Sequence, residues 1–590
     1  MRFAVKMPEG DYCYCSSPEV LVTASDAVGF HEALAQMEQL QADGFTIAGW
    51  LSYEAASAVD PRLPVLGDQT FPLLTMLASR RVERVSLPQL AAVTAPVLKP
   101  RIDQPAYETR CQRLLDYILA GDVYQANYSF RCDLEGISEP FELFCQLEAE
   151  HPMPHSAYIE TDSWQVISQS PELFLKREGE QLISEPMKGT APRRLTYYAD
   201  EQERLALAAD IKNRAENIMI VDLMRNDLGR VCEIGSIRVP FKFEAQRFHS
   251  LHQLVSRVTG TQRQGTSLLE ILQATYPAGS ITGAPKVRAM EIIADLELDG
   301  RKAYTGSVGI FLPGGDFSLN VAIRTLTCQS KLAKAELGIG SGVVANSERH
   351  LEWQECLLKG EFVAYRQQHH EVFETMLWQG EYIWLNDHLK RLEQSCLYWL
   401  IPFNRAQIVS RLNEAESEYG STPQRVRLAV RRDGTVHLVT TKMRQSGWGD
   451  KPLKLCLSDQ PIDAASPYQY HKTDVRNHYD TAYQKALANG FDEVLFLNQN
   501  GELAEGAISS VFLQQQKQWC TPSIASGILP GIWRAKSIRK LNGKELSLSI
   551  ENLKQAEKVL IGNSLRFEGK VGQIWFNDEL VWQEPVNASR

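Results

Sequence analysis

From Tyr107 to about Tyr365 the chain alternates strand-like and helix-like segments, and then RQQHHEVFETMLWQGEYIWL breaks the alternation. A polar stretch leads into a fresh strand–turn–strand pattern, with the turn at 379–381 between Val372–Trp378 and Tyr382–Leu385. A boundary near 366–371 therefore divides the 590 residues into two parts, 1–365 and 371–590. Each is long enough to bury a core of its own. Residues 1–95 mix short strands with one helix, Ser25 to Ala42, and Leu87 to Pro105 reads as a connector.

Composition narrows the function classes. The chain is 44% hydrophobic and 23% charged, ordinary for a globular protein and wrong for a disordered or collagen-like one. A net charge of −10 with no long basic run argues against a nucleic-acid partner. No run approaches the ~20 apolar residues of a membrane helix. The start, MRFAVKMPEGDY, shows no apolar signal-peptide core, so a cytoplasmic enzyme without a membrane partner is expected. The eleven cysteines are scattered, apart from Cys13 and Cys15, which is no disulfide framework.

Familiar site motifs are missing. There is no HExxH and no phosphate loop, and His249 and His252 have no companion ligands. GIGSG at 338–342 lacks the third glycine and later acid of a dinucleotide fingerprint. Other segments are more suggestive. Asp200 to Met224 reads as one long helix with Leu205, Ala208, Ile211, Ala215, Ile218 and Leu223 at helical spacing, and with Glu216 and Asp222 near its end. In a second helix, Ser347 to Tyr365, the spacing of Glu348, Glu352, Glu355 and Lys359 puts them on one face. Such a stripe is a solvated face unless it meets another carboxylate, in which case it suits magnesium. PAGSITGAPKVRAME (277–291) reads as a Gly-permitted loop opening a helix at Pro285, whose N–H groups suit an anion.

Taken together, SPELF (170–174), PMKGT (186–190), ENIMIVDLMRNDLGRV (216–231), HQLVSRVTG (252–260), PAGSITGAPKVRAM (277–290), YTGSVG (304–309), AIRT (322–325), GIGSGVVANS (338–347) and EWQECLLK (352–359) resemble the chorismate-utilising enzymes. That family includes the large components of anthranilate synthase and aminodeoxychorismate synthase, and its fold is α+β, antiparallel sheets with flanking helices. The resemblance covers about 260 residues and is loose over residues 1–100. It implies that Lys188, where ortho-directed members typically carry alanine, attacks C2 of chorismate as the C4 hydroxyl leaves. Ammonia would then add at C4 and expel the lysine, with Glu172 as general acid/base. It also implies Mg²⁺ on Glu216 and Glu355, with Glu352 bound directly or through water. Arg324 would take a substrate carboxylate, and Tyr304, Gly340, Gly342, Lys359 and His252 would contact the substrate. No cysteine has the Gly-x-Cys-x-Gly setting of a class I glutaminase, so the ammonia is expected free or from a separate glutamine amidotransferase subunit.

In the second part, RVRLAV followed by RRDGTVHLV reads as a hairpin turning at Asp433–Gly434. FDEVLFLNQNGELAEGAISSVFL reads as strand, turn at Asn500–Gly501, and a second strand containing Glu505; GILPGIWR reads as a loop leading into a helix. With FETMLW, DHLKRL and HKT, these resemble the smaller α+β domain of fold-type IV pyridoxal-phosphate enzymes, which include branched-chain and D-amino-acid aminotransferases and 4-amino-4-deoxychorismate lyase. The resemblance implies that Lys472 attaches the cofactor and moves protons, and that Glu505 pairs with the ring nitrogen. Arg391 and the backbone N–H groups of Ile532 and Trp533 would grip the phosphate, and Thr375 matches a lyase threonine. It also admits a homodimer through this half. Two residues depart from the family: Ser510 stands where it often has asparagine, and Trp533 where it often has threonine. The residues leave lyase and aminotransferase both open. The expected reading is a fused pair making 4-aminobenzoate from chorismate. Its alternatives are an anthranilate-synthase-like part joined to an aminotransferase, and a non-catalytic ligand-sensing pair.

Overall fold

The computed structural model describes residues 1–67, 70–88, 94–330, 334–364, 368–443 and 447–585. Parts of the expected boundary (366–371), of the connector (Leu87–Pro105) and the expected helix end at Tyr365 lie outside them. The chain forms two compact units, Met1–Pro192 with Arg204–Arg366 and Gln367–Arg590 with Arg193–Glu203. The segment Arg193–Glu203 thus groups with the second unit, although the sequence reading places it in the first.

Two sheets, each of ten strands among the described residues, build the first unit. Each is antiparallel at the pairings that carry the site, such as Gln125–Glu135 against Lys334–Val344 and Met187–Pro192 against Leu251–Thr261. Alternation along the strands points Phe3, Val5, Cys13 and Cys15 of one sheet into the same cluster as Ala48, Trp50, Leu77 and Ile310 of the other. Cys13 and Cys15 are therefore core residues. Helices Gln104–Leu119, Pro140–Glu150, Lys286–Leu296 and Arg349–Gly360 cover the outer face of the first sheet. Helices Ala27–Ala42 and Ile211–Gly229 cover the other. This is the expected α+β architecture.

Local chemistry revises three details. The expected helix from Asp200 to Met224 is two helices, Tyr197–Ala209 and Ile211–Gly229. Asp210 separates them because its carboxylate accepts from Asn213 N–H and caps the second. Its buried side is Asn217, Ile220, Val221, Met224 and Leu228, whereas Leu205, Ile211 and Ile218 are exposed. The expected connector contains a strand, Val97–Pro100, paired with Gln125–Glu135. The second strand expected at Tyr382–Leu385 reduces to one bridge, Trp378–Tyr382, before the helix Leu385–Trp399 begins.

In the second unit, Glu371–Trp378, Gln424–Arg431 and Val436–Lys442 form a three-stranded antiparallel sheet, with the expected turn at Gly434. A mixed sheet, of nine strands among the described residues, carries Glu493–Leu497, Leu503–Gly506, Ser510–Gln515 and Lys558–Asn563. Its strands Leu453–Leu457 and Glu493–Leu497 run parallel, joined across the helix Asn477–Ala488.

One buried ion pair ties the first unit together. Arg301 and Glu297 meet at 2.6 Å with side chains only 2% and 4% exposed. Glu297 also accepts from the N–H and hydroxyl of Ser129, both at 2.8 Å. Arg301 donates to the carbonyls of Asn127 and Ile281 at 2.7 and 3.0 Å. Glu297→Ala would strand a buried guanidinium, and losses of ~3–5 kcal/mol are expected for such a change. Denaturant unfolding of the full chain should show it as an early transition in the first unit; a loss under ~1 kcal/mol would contradict this role.

Candidate active sites

In the first unit a cavity of about 530 Å³ is lined by Glu172, Lys188, Glu216, Tyr304, Arg324, Gly340, Gly342, Glu352, Glu355 and Lys359. Every residue the sequence assigns to this site is present except His252. His252 is fully buried on the strand Leu251–Thr261, and its neighbours Leu251 and Gln253 are the ones lining the cavity. Strand alternation sends 251 and 253 to one face and 252 to the other, so His252 is not among the residues that line the cavity.

The glycines of GIGSG now have a role. They lie in the strand Lys334–Val344, not in a phosphate loop. A Cβ at Gly338 would sit 2.3 Å from the Tyr304 ring, and one at Gly342 would sit 2.5 Å from Lys188 Nζ and 2.7 Å from Asn127 Oδ1. Glycine here makes room for the functional side chains. Lys359, one turn beyond Glu355 on the helix Arg349–Gly360, donates to the Gly340 carbonyl at 3.1 Å and pairs with Glu355 at 2.7 Å. Glu348 is the helix cap, so the acidic stripe begins one residue outside the helix. From the loop of 279–281, Ser280 and Ile281 reach the cavity, rather than the start of the helix at Lys286.

The electrostatics favour proton and amine chemistry. Burial pushes the Glu172 carboxyl up to about 7, opposed by the Ser280 hydroxyl, the Met187 N–H and Lys188. Burial likewise lowers the Lys188 amine, helped by Lys359 and opposed by Glu216, Glu355 and Glu352. Arg324 takes a left-handed backbone with φ of 50°. Burial lowers its guanidinium to about 10. Glu216, Glu352 and Glu355 offer oxygens of the kind Mg²⁺ prefers. Among the described residues, however, no group of three histidine, cysteine or acidic side chains is gathered to hold a metal. Missed from the sequence were Asn127 and Ser129, polar residues outside every motif, and Gln253 and Ser280, which lie within HQLVSRVTG and PAGSITGAPKVRAM without a role of their own there.

The second unit holds a cavity of about 710 Å³ lined by Thr375, Arg391, Lys472, Glu505, Ile532 and Trp533, which is the full set expected there. Burial lowers the Lys472 amine to about 7, and Arg476 and Arg391 add to the effect against Glu374 and Glu505. Burial raises Glu505 to about 7. Tyr479 donates toward Glu505 at 3.1 Å and Leu529 N–H donates at 3.2 Å. Arg391 is gripped by Glu374 through two bonds of 2.7 Å, and His388 Nδ1 meets the same carboxylate at 2.7 Å. Sequence reasoning missed Glu374, His388 and Tyr479. The first two stand beside assigned residues, Glu374 before Thr375 and His388 three before Arg391.

Residues 19–365 match the model of chorismate binding enzymes. The chain belongs to the chorismate-binding enzyme family. Residues 371–574 match the model of amino-transferase class IV, so the enzyme carries a second domain of that kind. The aminodeoxychorismate synthase component 1 of Klebsiella aerogenes is 39% identical over 279 residues, 46% of this chain and 61% of the relative. An anthranilate synthase component 1 of Haloarcula marismortui is 36% identical over 361 residues, 53% of this chain and 73% of the relative. The chain thus spans less than two thirds of the first. The crystal structure of anthranilate synthase component I from Streptococcus pneumoniae superposes with a TM-score of 0.54 and 23% identity, covering 62% of this chain and 92% of that one. That likeness shows the shared fold. No helix among the described residues is long and apolar enough to cross a membrane.

A lysine with its pKa near 7 is a neutral amine through most of the range where surface lysines are cations. Selective acylation of cofactor-free protein should modify Lys472 with a rate that rises through about pH 7 and is flat above pH ~8.5. A rate still climbing at pH ~10, as for an exposed lysine, would contradict the assigned environment.

Proposed function

We propose that the chain is a bifunctional enzyme that makes 4-aminobenzoate from chorismate. The first domain aminates chorismate to 4-amino-4-deoxychorismate, and the second eliminates pyruvate. The observation that carries this reading is Lys188, a desolvated amine in the same cavity as a buried carboxyl raised to about 7. An alanine at 188 would remove that desolvated amine from the cavity.

In the first cavity the neutral Lys188 amine forms a bond to C2 of the ring, the double bonds shift, and the C4–O bond breaks. Hydroxide leaves poorly, so Glu172 donates the proton that lets it depart as water. Ammonia then bonds at C4 and gives a proton back to Glu172, and the Lys188 nitrogen departs from C2 with its electron pair, regenerating the amine. Arg324 binds a substrate carboxylate with charge-assisted hydrogen bonds. Glu216, Glu352 and Glu355 are the residues that would hold Mg²⁺, which supplies charge neutralisation at a substrate carboxylate. With no three-ligand set formed among the described residues, such an ion would depend on substrate and water oxygens as well. The cysteine arrangement supports ammonia supplied free or by a separate glutamine amidotransferase subunit.

The second cavity fits pyridoxal phosphate by the chemistry of its groups. Lys472 is an amine near neutrality, Glu505 is a buried carboxyl facing it, and Arg391 stands beside the uncapped start of the helix Ile532–Leu541. The cofactor would supply an electron sink to the amine it holds. Lys472 takes the proton from C4 of aminodeoxychorismate. The C3–O bond then breaks, enolpyruvate leaves and takes up a proton to become pyruvate, and the ring becomes aromatic. The relatives' names and the class IV aminotransferase domain support this pairing of steps.

Purified protein given chorismate, Mg²⁺, ammonium and pyridoxal phosphate should release 4-aminobenzoate and pyruvate in equal amounts. Lys188→Ala should lower that rate at least ~100-fold. Release of 2-aminobenzoate instead would overturn the para assignment, and an unimpaired Lys188→Ala would overturn the covalent step.

A further inference from the structure

The helix Ile532–Leu541 begins at Gly531 without any side-chain cap, so its first N–H groups are open toward the cavity that Ile532 and Trp533 line. Such an end favours an anion. Arg391 donates to the Pro530 carbonyl at 3.0 Å just before the helix, which adds a positive charge at the same place. Residue 533 contributes no hydroxyl there. Its indole packs edge-on against Phe512 at 5.6 Å, and it lies so close to Gly562 that a Cβ there would be 2.4 Å from the ring. The tryptophan is held as a core residue in one cluster with Phe512 and Leu560.

A different hydroxyl stands at this spot. Ser510 begins the strand Ser510–Gln515 directly opposite Gly562, lines the cavity, and is only 8% exposed. Its Oγ would be 2.8 Å from a Cβ on Gly531, which places it against the residue that opens the helix. Among the described residues no hydrogen bond or ion pair engages this hydroxyl, whereas its neighbour Ser509 is committed to Glu493 at 2.8 Å. A hydroxyl on a largely buried residue that lines the cavity and faces an open helix start is placed to donate to a ligand, and a phosphate oxygen accepts from it.

We propose that Ser510 is a phosphate-binding residue of the second cavity, donating its hydroxyl to the phosphate monoester held at the start of the helix Ile532–Leu541. It thereby supplies the contact that Trp533 cannot make. The assignment rests on the reading of this cavity as a pyridoxal-phosphate site. It also gives a physical account of both departures from the family pattern. A serine at 510 and a large apolar residue at 533 are complementary, with the hydroxyl moved from the helix to the facing strand.

The test is equilibrium binding, read by absorbance or fluorescence, of pyridoxal phosphate and of phosphate-free pyridoxal to the cofactor-free full chain. Wild type should bind pyridoxal phosphate far more tightly than pyridoxal. Ser510→Ala should weaken pyridoxal phosphate roughly 10- to 100-fold, as for a lost hydrogen bond to a charged group, and leave pyridoxal unchanged. Inorganic phosphate should compete with pyridoxal phosphate less well in the variant. If both ligands bind Ser510→Ala as they bind wild type, or if both weaken equally, Ser510 does not contact the phosphate and the proposal is overturned. If wild type itself does not distinguish the two ligands, the reading of the cavity fails, and the role of Ser510 fails with it.

Discussion

Removing a lysine ammonium from water is costly, and both cavities are organised around doing so. An exposed lysine holds its proton far above neutrality, and therefore neither attacks carbon nor accepts a proton at useful rates. Lys188 and Lys472 escape that condition by burial, and in each case neighbouring cations push in the same direction as desolvation: Lys359 beside the first, Arg476 and Arg391 beside the second. The acidic partners are tuned the opposite way. Glu172 and Glu505 are both raised to about 7 by burial. Each site thus pairs a weakened base with a weakened acid, the arrangement that lets protons move at neutral pH.

Holding such groups out of water demands rigid surroundings. In the first unit the Arg301–Glu297 pair joins the strand Gln125–Glu135 to the loop at 279–281. In the second, Glu374 holds Arg391 in a two-bond fork that fixes its direction before any ligand arrives. The glycine strand 338–342 adds a steric condition, because side chains there would occupy the space of Tyr304 and Lys188.

Much of this was legible in the sequence because chemistry-bearing residues occur in contiguous motifs. PMKGT, SPELF, HKT and GIWR each brought one element of a site, and the structure gathers them into two cavities. What was not legible depends on facing and on packing. His252 sits in a motif, yet strand alternation turns it from the cavity and presents Gln253. The apolar stripe chosen for 200–224 included Ile211 and Ile218, which are exposed, because the cap at Asp210 breaks the helix and resets its phase. The hairpin expected after Trp378 was lost to helix formation from Leu385. Tyr479 carries no signal until the third dimension places it beside Glu505.

The central claim is that two separate cavities on one chain carry out consecutive steps, each through its own lysine. Mixing two inactive variants tests it most directly. Lys472→Ala, supplied with chorismate and ammonium, should accumulate an aminated intermediate that retains its enolpyruvyl group. Adding Lys188→Ala protein loaded with pyridoxal phosphate should convert that intermediate to 4-aminobenzoate and pyruvate. Failure of the mixture to form 4-aminobenzoate while wild type does so, or its formation by either variant alone at the wild-type rate, would contradict the account.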